Sequence, residues 1–259
     1  MSFFSVMNNL LKTPVFAKKS LFFVFCLSPF FLEAQNFQVH YDFGEGRNYV
    51  TTTFEMFKPD KIGNTFIFVD FDFNFRSKTS LTNGTYYNPG LAYMEVARCF
   101  ALSKKVPISA QIEYNGGLFM TDGKGLAINN AFLVGLDYFF HSKDYTRVYN
   151  IKALYKYIMG KEPASFQITA VWTINWWQNR FTFSGFADFW YERNTNYFDM
   201  HANPLEVPTT SKFVFIAEPQ LWWNIRPCIA VGTEIEMSVN FSSVKGFKCC
   251  PTVAAKYTF

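Results

Sequence analysis

From Gln35 onward the chain alternates apolar and polar residues with a period of two, and hardly any stretch carries helical spacing. The clearest case is 65–75 (TFIFVDFDFNF). One face holds Ile67, Val69, Phe71, Phe73 and Phe75, the other Phe66, Phe68, Asp70, Asp72 and Asn74. Alternate side chains of a strand point to opposite faces of a sheet, so this pattern predicts a strand with one apolar face. Three other segments repeat it. Ile108, Ala110, Ile112 and Tyr114 oppose Ser109, Gln111, Glu113 and Asn115. Phe166, Ile168, Ala170, Trp172, Ile174 and Trp176 oppose Ser165, Gln167, Thr169, Thr173 and Asn175. Ile229, Val231, Ile235, Met237, Val239 and Phe241 oppose Gly232, Glu234, Glu236, Ser238 and Asn240.

The pattern predicts twelve strands, at 36–43, 48–57, 64–75, 90–100, 107–118, 129–139, 146–158, 164–176, 180–192, 212–223, 228–241 and 248–259. The fourth (LAYMEVARCF) alternates poorly. An even number of strands of about ten residues fits a transmembrane barrel. A soluble barrel or sandwich would turn its apolar faces inward. Here the polar faces carry many charges, the apolar faces are large and aromatic, and Tyr and Trp gather near strand ends as interfacial girdles do. The expected fold is all-β, a 12-stranded antiparallel transmembrane β-barrel. With the N-terminus on the periplasmic side, the long connections 76–89, 119–128 and 193–211 all face outward. The inward set (58–63, 101–106, 140–145, 177–179 and 224–227) is short, which is the parity of bacterial outer-membrane barrels.

Composition sharpens this picture. Aromatic residues make up 20% of the 259 residues and charged residues only 17%, below the roughly 25% of soluble domains. Residues 1–34 read as a secretory signal peptide. Lys12, Lys18 and Lys19 precede the uncharged run LFFVFCLSPFFL, and Leu-Glu-Ala places cleavage after Ala34. The run is too short for the ~20 apolar residues of a spanning helix, and Cys26 lacks the small preceding residues of a lipoprotein signal. The barrel then occupies 35–259. The formal net charge is +4; losing Lys12, Lys18, Lys19 and Glu33 leaves +2, too weak a bias for nucleic-acid binding. Cys99, Cys228, Cys249 and Cys250 remain. The last two are adjacent and would point to opposite faces of a strand, so all four are expected as free, small apolar fillers, with no metal-ligand spacing. The alternating last strand ends in Phe259, as outer-membrane barrels do when the assembly machinery reads their terminal strand. Expected partners are that machinery, outer-membrane lipid and small solutes; no cofactor is expected.

The stretch HYDFGEGRNYVTTTFEMFKPDKIGNTFIFVDFDFN resembles the nucleoside-specific channel-forming (Tsx-like) barrels, and more closely a related family of Bacteroidetes outer-membrane barrels. The likeness rests on the short hairpin around Gly44–Arg47, the strand ending Phe57-Lys58-Pro59-Asp60, and a third strand of Phe alternating with Asp. The block KFVFIAEPQLWW and the terminal strand fit as well. The resemblance implies a monomeric 12-stranded channel for nucleosides.

Phasing each strand by its apolar face predicts the lumen. Its acids are Asp42, Glu55, Asp70, Asp72, Glu113, Asp188, Glu192, Glu218, Glu234 and Glu236, and its bases Arg98, Lys152, Lys156, Lys248 and Lys256. Tyr49, Phe57, Phe66, Phe68, Phe186, Trp190 and Trp222 are its aromatics. An acidic balance suits neutral or cationic solutes better than anions. Nucleobases stack on aromatic faces, and acids accept ribose hydroxyls. The expected solute path runs past Tyr49, Glu55, Phe66, Phe68, Asp70, Asp72, Glu113, Lys152, Phe186, Asp188, Trp190, Glu218 and Glu234. The alternatives are a structural or adhesive barrel with a filled lumen and a lipid-modifying outer-membrane enzyme. For the enzyme, His40, His141 and His201 lie on segments that cannot converge, and no GxSxG, HExxH or phosphate-cradling glycine loop is present.

Overall fold

A computed structural model describes residues 34–73, 89–121, 124–161, 165–201 and 203–259. The predicted leader, residues 74–75 of the third predicted strand and nearly all of the connection 76–89 lie outside them. The strands are β1 (Ala34–Asp42), β2 (Tyr49–Asp60), β3 (Gly63–Phe73), β4 (Pro89–Ala101), β5 (Ile108–Thr121), β6 (Lys124–His141) and β7 (Arg147–Ile158). They continue as β8 (Ser165–Trp176), β9 (Phe181–Phe198), β10 (Pro204–Ala217), β11 (Gln220–Arg226), β12 (Ile229–Val239) and β13 (Phe247–Thr258).

Neighbours pair antiparallel around a closed ring, which β1 shuts onto β13 from Asn36↔Thr258 to Asp42↔Thr252. Both β10 and β11 lie between β9 and β12, so they are two halves of one stave and the barrel has twelve positions. The break falls at Glu218-Pro219, since proline cannot donate to a ladder. Gly185 on β9 permits it: a Cβ there would sit 2.4 Å from the Glu218 carbonyl oxygen. The predicted tenth strand, 212–223, is therefore interrupted, and it starts earlier, at Pro204.

The outer surface is what lipid demands. On β1, Phe37, Val39 and Tyr41 are exposed, as is Phe43 just after it, while Gln38, His40 and Asp42 are buried inside. On β6, Phe132, Val134, Leu136 and Tyr138 face out, against Ala131, Leu133 and Asp137 inside. In water such a surface would cost heavily; in hydrocarbon it costs nothing, and closure leaves no backbone edge unpaired. The chain is an outer-membrane β-barrel. At the end holding Ala34 and Phe259 the connections are short: 61–62, 102–107, 142–146, 177–180 and 227–228. The connection 177–180 puts Trp177, Gln178 and Asn179 in the left-handed region (φ 51, 56 and 61°), with Trp176 and Trp177 stacked on Phe181 at the membrane edge. In another, Asp144 accepts from the Ser142 and Thr146 hydroxyls, which hold its carboxyl down at about 2.

Two expectations are corrected at the opposite end. The segments 119–128 and 193–211, read as loops, are largely strand: β6 and β9 run 18 residues each. At about 3.3 Å per residue that is roughly 60 Å, well past the ~25 Å apolar band. Two hairpins therefore stand clear of the membrane. They escaped notice because their alternation weakens where lipid stops imposing it.

The fourth strand supplies the third correction. In register with β3, the inward residues of β4 are Leu91, Tyr93, Glu95, Ala97 and Cys99, paired with Asp72, Asp70, Phe68, Phe66 and Asn64. Arg98, expected in the lumen, instead faces out near the terminal end. It reaches Asp60 at 2.6 Å and lies over the Phe100 ring at 5.2 Å. A long stem can lie on apolar surface while its head reaches the interface, so an arginine near a strand end does not mark the inner face. The four cysteines are free, with Cys99 and Cys250 buried and Cys249 exposed on the opposite face.

Candidate functional site: a carboxylate belt across the lumen

Inward phasing places every residue of the expected solute path on the inner wall. Tyr49, Glu55, Phe66, Phe68, Asp70 and Asp72 share one face of β2 and β3 through the pairs Thr51↔Asp72, Thr53↔Asp70, Glu55↔Phe68 and Phe57↔Phe66. Glu113 (β5), Lys152 (β7), and Phe186, Asp188 and Trp190 (β9) follow in register. Glu218 sits at the break between β10 and β11, and Glu234 pairs across from Gln220. The structure does not bring all of these to one place.

What it does bring together is a set of carboxylates. Asp70 lies within electrostatic reach of Glu95 and Glu234, Glu95 of Glu113 and Asp188, and Glu218 of Glu234 and Asp70. Glu95 on β4 and Asp188 on β9 stand on staves well apart around the ring, so their interaction crosses the lumen. Asp70, Glu95, Glu113, Asp188, Glu218 and Glu234 form a belt across the lumen. Each is only partly buried. Neighbours hold several in place: the Thr53 hydroxyl donates to Asp70 (2.5 Å), Tyr93 to Glu95 (2.8 Å), Gln111 to Glu113 (2.6 Å), Thr169 to Asp188 (2.5 Å) and Gln220 to Glu234 (2.6 Å). These donors are neutral, so they orient the acids without cancelling their charge. Lys152 and Lys156 lie near Glu95 and Asp188 as the cationic counterparts. Glu95 was missed because apolar residues on both faces of its strand hid the phase, which the register Phe68↔Glu95 resolves.

The aromatics divide into two groups. Phe66, Phe68 and Phe186 are partly exposed to the interior. The faces of Trp190 and Trp222 are already occupied, by the Lys156 ammonium at 4.1 Å and the Lys256 ammonium at 4.0 Å. Trp222 is 0% exposed, with its indole N–H on Gln220 at 2.9 Å, and the indole lies against Gly232, where a Cβ would meet it at 2.7 Å. These two rings fill the barrel. So do Ala131, Leu133 and Leu154 on β6 and β7, and Val214 and Ile216 beside Trp190.

Above the belt, Arg47 from the first connection turns in to Asp42 and, with both oxygens, to Glu236, each at 2.8 Å. Below it, His40 is buried between Gln38 (2.9 Å) and Thr252 (3.1 Å). His141 stacks on Tyr145 at 3.8 Å and His201 bonds Glu45 at 2.8 Å, so the three histidines stand apart. Among the described residues no three His, Cys, Asp or Glu side chains are grouped to hold a metal.

A family model, described as a domain of unknown function (DUF5020), matches residues 34–259. The chain belongs to the DUF5020 family. No curated protein matches it. Among solved structures it is similar to the NanC porin, at 10% identity and a TM-score of 0.53, covering 87% of this chain and 100% of that one. The KdgM porin is similar at 9% identity and a TM-score of 0.47 over 87% and 99%. The outer-membrane protein Omp33 of Acinetobacter baumannii is similar at 13% and 0.41 over 88% and 99%. The first of these likenesses carries the fold alone, a closed antiparallel β-barrel.

Proposed function

We propose that this DUF5020 barrel is an outer-membrane channel that passes small neutral or cationic solutes by passive diffusion, with nucleosides as the class. The observation that carries the reading is the carboxylate belt. A barrel that merely filled its lumen would pair each inward acid with a base, because like charges brought together out of water repel and are costly to desolvate. Here Asp70, Glu95, Glu113, Asp188, Glu218 and Glu234 reach one another across the bore with few lysines among them. Such a ring calls for water and mobile cations, and rings of Asp and Glu set cation preference in channels. Nucleosides are supported by Phe66 and Phe68 beside Asp70 and by Phe186 beside Asp188. A ring face worth roughly 1–3 kcal/mol per stacked base there adjoins acceptors for ribose hydroxyls. Trp190 and Trp222 are left out, their faces being covered by lysines. Closure of β13 on β1 leaves no free edge, which supports a monomer, inserted by the barrel-assembly machinery through the strand ending in Phe259.

A structural barrel is the second reading, favoured by the buried clusters around Trp190 and Trp222. Planar-bilayer recording of the purified protein in a KCl gradient separates the two. The channel reading expects a reversal potential on the cation side and faster liposome swelling with adenosine than with a sugar of similar size. Swelling without preference leaves a general channel. Absence of both current and swelling establishes the structural reading.

A further inference from the structure

The connection between β12 and β13, 240–246, does not stay at the rim. Phe241 packs edge-on to Trp190 at 6.1 Å and joins the inner cluster of Trp190, Val214 and Ile216. Asn194, on the inward face of β9, donates its amide to the Asn240 carbonyl at 2.9 Å. Further on, the Ser243 carbonyl accepts from the Tyr197 and Phe198 N–H groups at 2.8 and 3.2 Å, and the Lys245 N–H donates to Phe198 at 2.8 Å. Val244 bridges Phe198 in the parallel sense. The connection thus runs alongside β9 from Asn194 to Phe198. Asn240, Ser242 and Ser243 are in the left-handed region (φ 55, 50 and 64°), a conformation unfavourable to residues with a Cβ.

Beneath this strap lie polar groups it does not satisfy. Asn196 is 1% exposed, and its side-chain oxygen has no partner. Thr209 pairs opposite Asn196 and Ser211 opposite Asn194, so all four share one face. The Thr209 and Ser211 hydroxyl oxygens are buried and equally without partners. Leaving buried polar groups unpaired is unfavourable, and a strap meant only to pack would sit better on apolar residues. The charges beside this inner face, Glu192 and Lys161, neutralise each other at 2.9 Å, and the Lys161 ammonium also reaches the Asn194 side-chain oxygen at 3.5 Å.

We propose that Asn196, Thr209 and Ser211 form a docking subsite for an uncharged solute bearing vicinal hydroxyls, which enters at the outer mouth and displaces the 240–246 strap. The amide oxygen accepts, and the two hydroxyls both donate and accept. A diol, each of whose hydroxyls also does both, can satisfy all three; an isolated anion or cation meets no net opposite charge. The ribose of a nucleoside and a free pentose share this chemistry. The subsite deepens the channel reading and rests on it for the route beyond.

The test is current through the full chain in planar bilayers with D-ribose, adenosine or 2′,3′-dideoxyadenosine added on the outer side. Ribose and adenosine are expected to block the current in a saturable way, and dideoxyadenosine to block at least ten-fold more weakly. In Asn196→Leu, and separately in Thr209→Val/Ser211→Ala, the half-blocking concentration is expected to rise ten-fold or more with heat-modifiable gel migration retained. A block by adenosine but not ribose ties the subsite to nucleosides. Current without block by either, equal block by dideoxyadenosine, or equal block in the variants overturns the subsite and leaves the channel standing. If no current flows, the channel reading fails. Tryptophan fluorescence of the refolded protein then decides: a ribose-dependent change that both variants lose upholds the subsite, and its absence overturns it.

Discussion

The wall made by β2 to β5 and the wall made by β9 to β13 meet the membrane alike and the lumen differently. Outside, both present exposed aromatic and aliphatic residues: Phe71, Met94 and Ile112 on the first, Phe189, Phe213 and Val253 on the second. Inside, the first wall carries partly exposed acids oriented by neutral donors, Thr53 on Asp70, Tyr93 on Glu95 and Gln111 on Glu113. The second buries Trp190, Val214 and Ile216 under Phe241, and Trp222 beside Ala230 and Ala254. Lipid imposes one rule on every outward position, whereas the inner positions are free to line or to fill. In the channel reading the belt spans both walls, through Asp70, Glu95 and Glu113 on the first and Asp188, Glu218 and Glu234 on the second, and the buried rings narrow the bore from the second.

The largest effect expected from this difference is on folding. Trp222→Ala removes a fully buried indole and should cost about 3–5 kcal/mol. Tyr93→Phe on the other wall loses one partly exposed hydrogen bond and should cost about 0.5–1.5 kcal/mol. Urea titration of vesicle-refolded protein measures both, and equal losses would show that the two walls are packed alike.

Next comes the contrast between faces of one strand. Phe71 is 39% exposed toward lipid, and Phe71→Arg should cost about 2–4 kcal/mol near the bilayer midplane. Asp70→Arg, one residue away among Glu95 and Glu234, should refold with little loss. Equal damage would overturn the phasing of β3.

A smaller effect separates paired from unpaired acids. Replacing Asp70, Glu95 and Asp188 together by Asn, Gln and Asn should move the reversal potential toward anions. Glu192→Gln, at an acid that Lys161 already neutralises, should move it much less. Identical shifts would mean that net interior charge, not the belt, sets the preference.

The sequence made the outer face legible for a physical reason: a lipid-facing position tolerates almost nothing polar, so alternation survives wherever the strand lies in the bilayer. That is why the strand positions and the inward acids on β2, β3, β5, β9 and β12 could be read. The same reason explains what could not. On β4, Leu91, Ala97 and Cys99 are apolar and inward, and Arg98 is charged and outward, so the phase inverts and Glu95 is lost. Above the membrane, 119–128 and 193–211 are under no lipid constraint and read as loops although their described residues are largely strand. The break at Glu218-Pro219 was signalled by its proline. The inward turn of 240–246 had no local signal, because it depends on Trp190 and Asn194, some fifty residues earlier.

The smallest effect lies outside the membrane, where the second wall's hairpin meets the first wall's connection. His201, near the tip of the β9–β10 hairpin, bonds Glu45 beside the first hairpin at 2.8 Å, both side chains being exposed. The hydrogen bond to Glu45, and then its charge, raise the His201 imidazole above its ordinary 6.5. Asp199 assists from below, accepting the His201 N–H at 2.9 Å. A folded-state value raised above the unfolded one means that the contact contributes fully below about pH 6.5 and is lost as pH rises through the higher folded value. The hairpin tip should therefore be held more firmly in mild acid than at pH 8. Exposure and salt keep the effect small, so the imidazole is a better probe than global stability. NMR titration should give His201 a midpoint above 6.5 that falls toward the ordinary value in Glu45→Gln. Protease cleavage at 199–203 should rise with pH in the wild type and vary less in that variant. A midpoint that Glu45→Gln leaves unchanged would mean that the hairpin tip and the first connection do not meet.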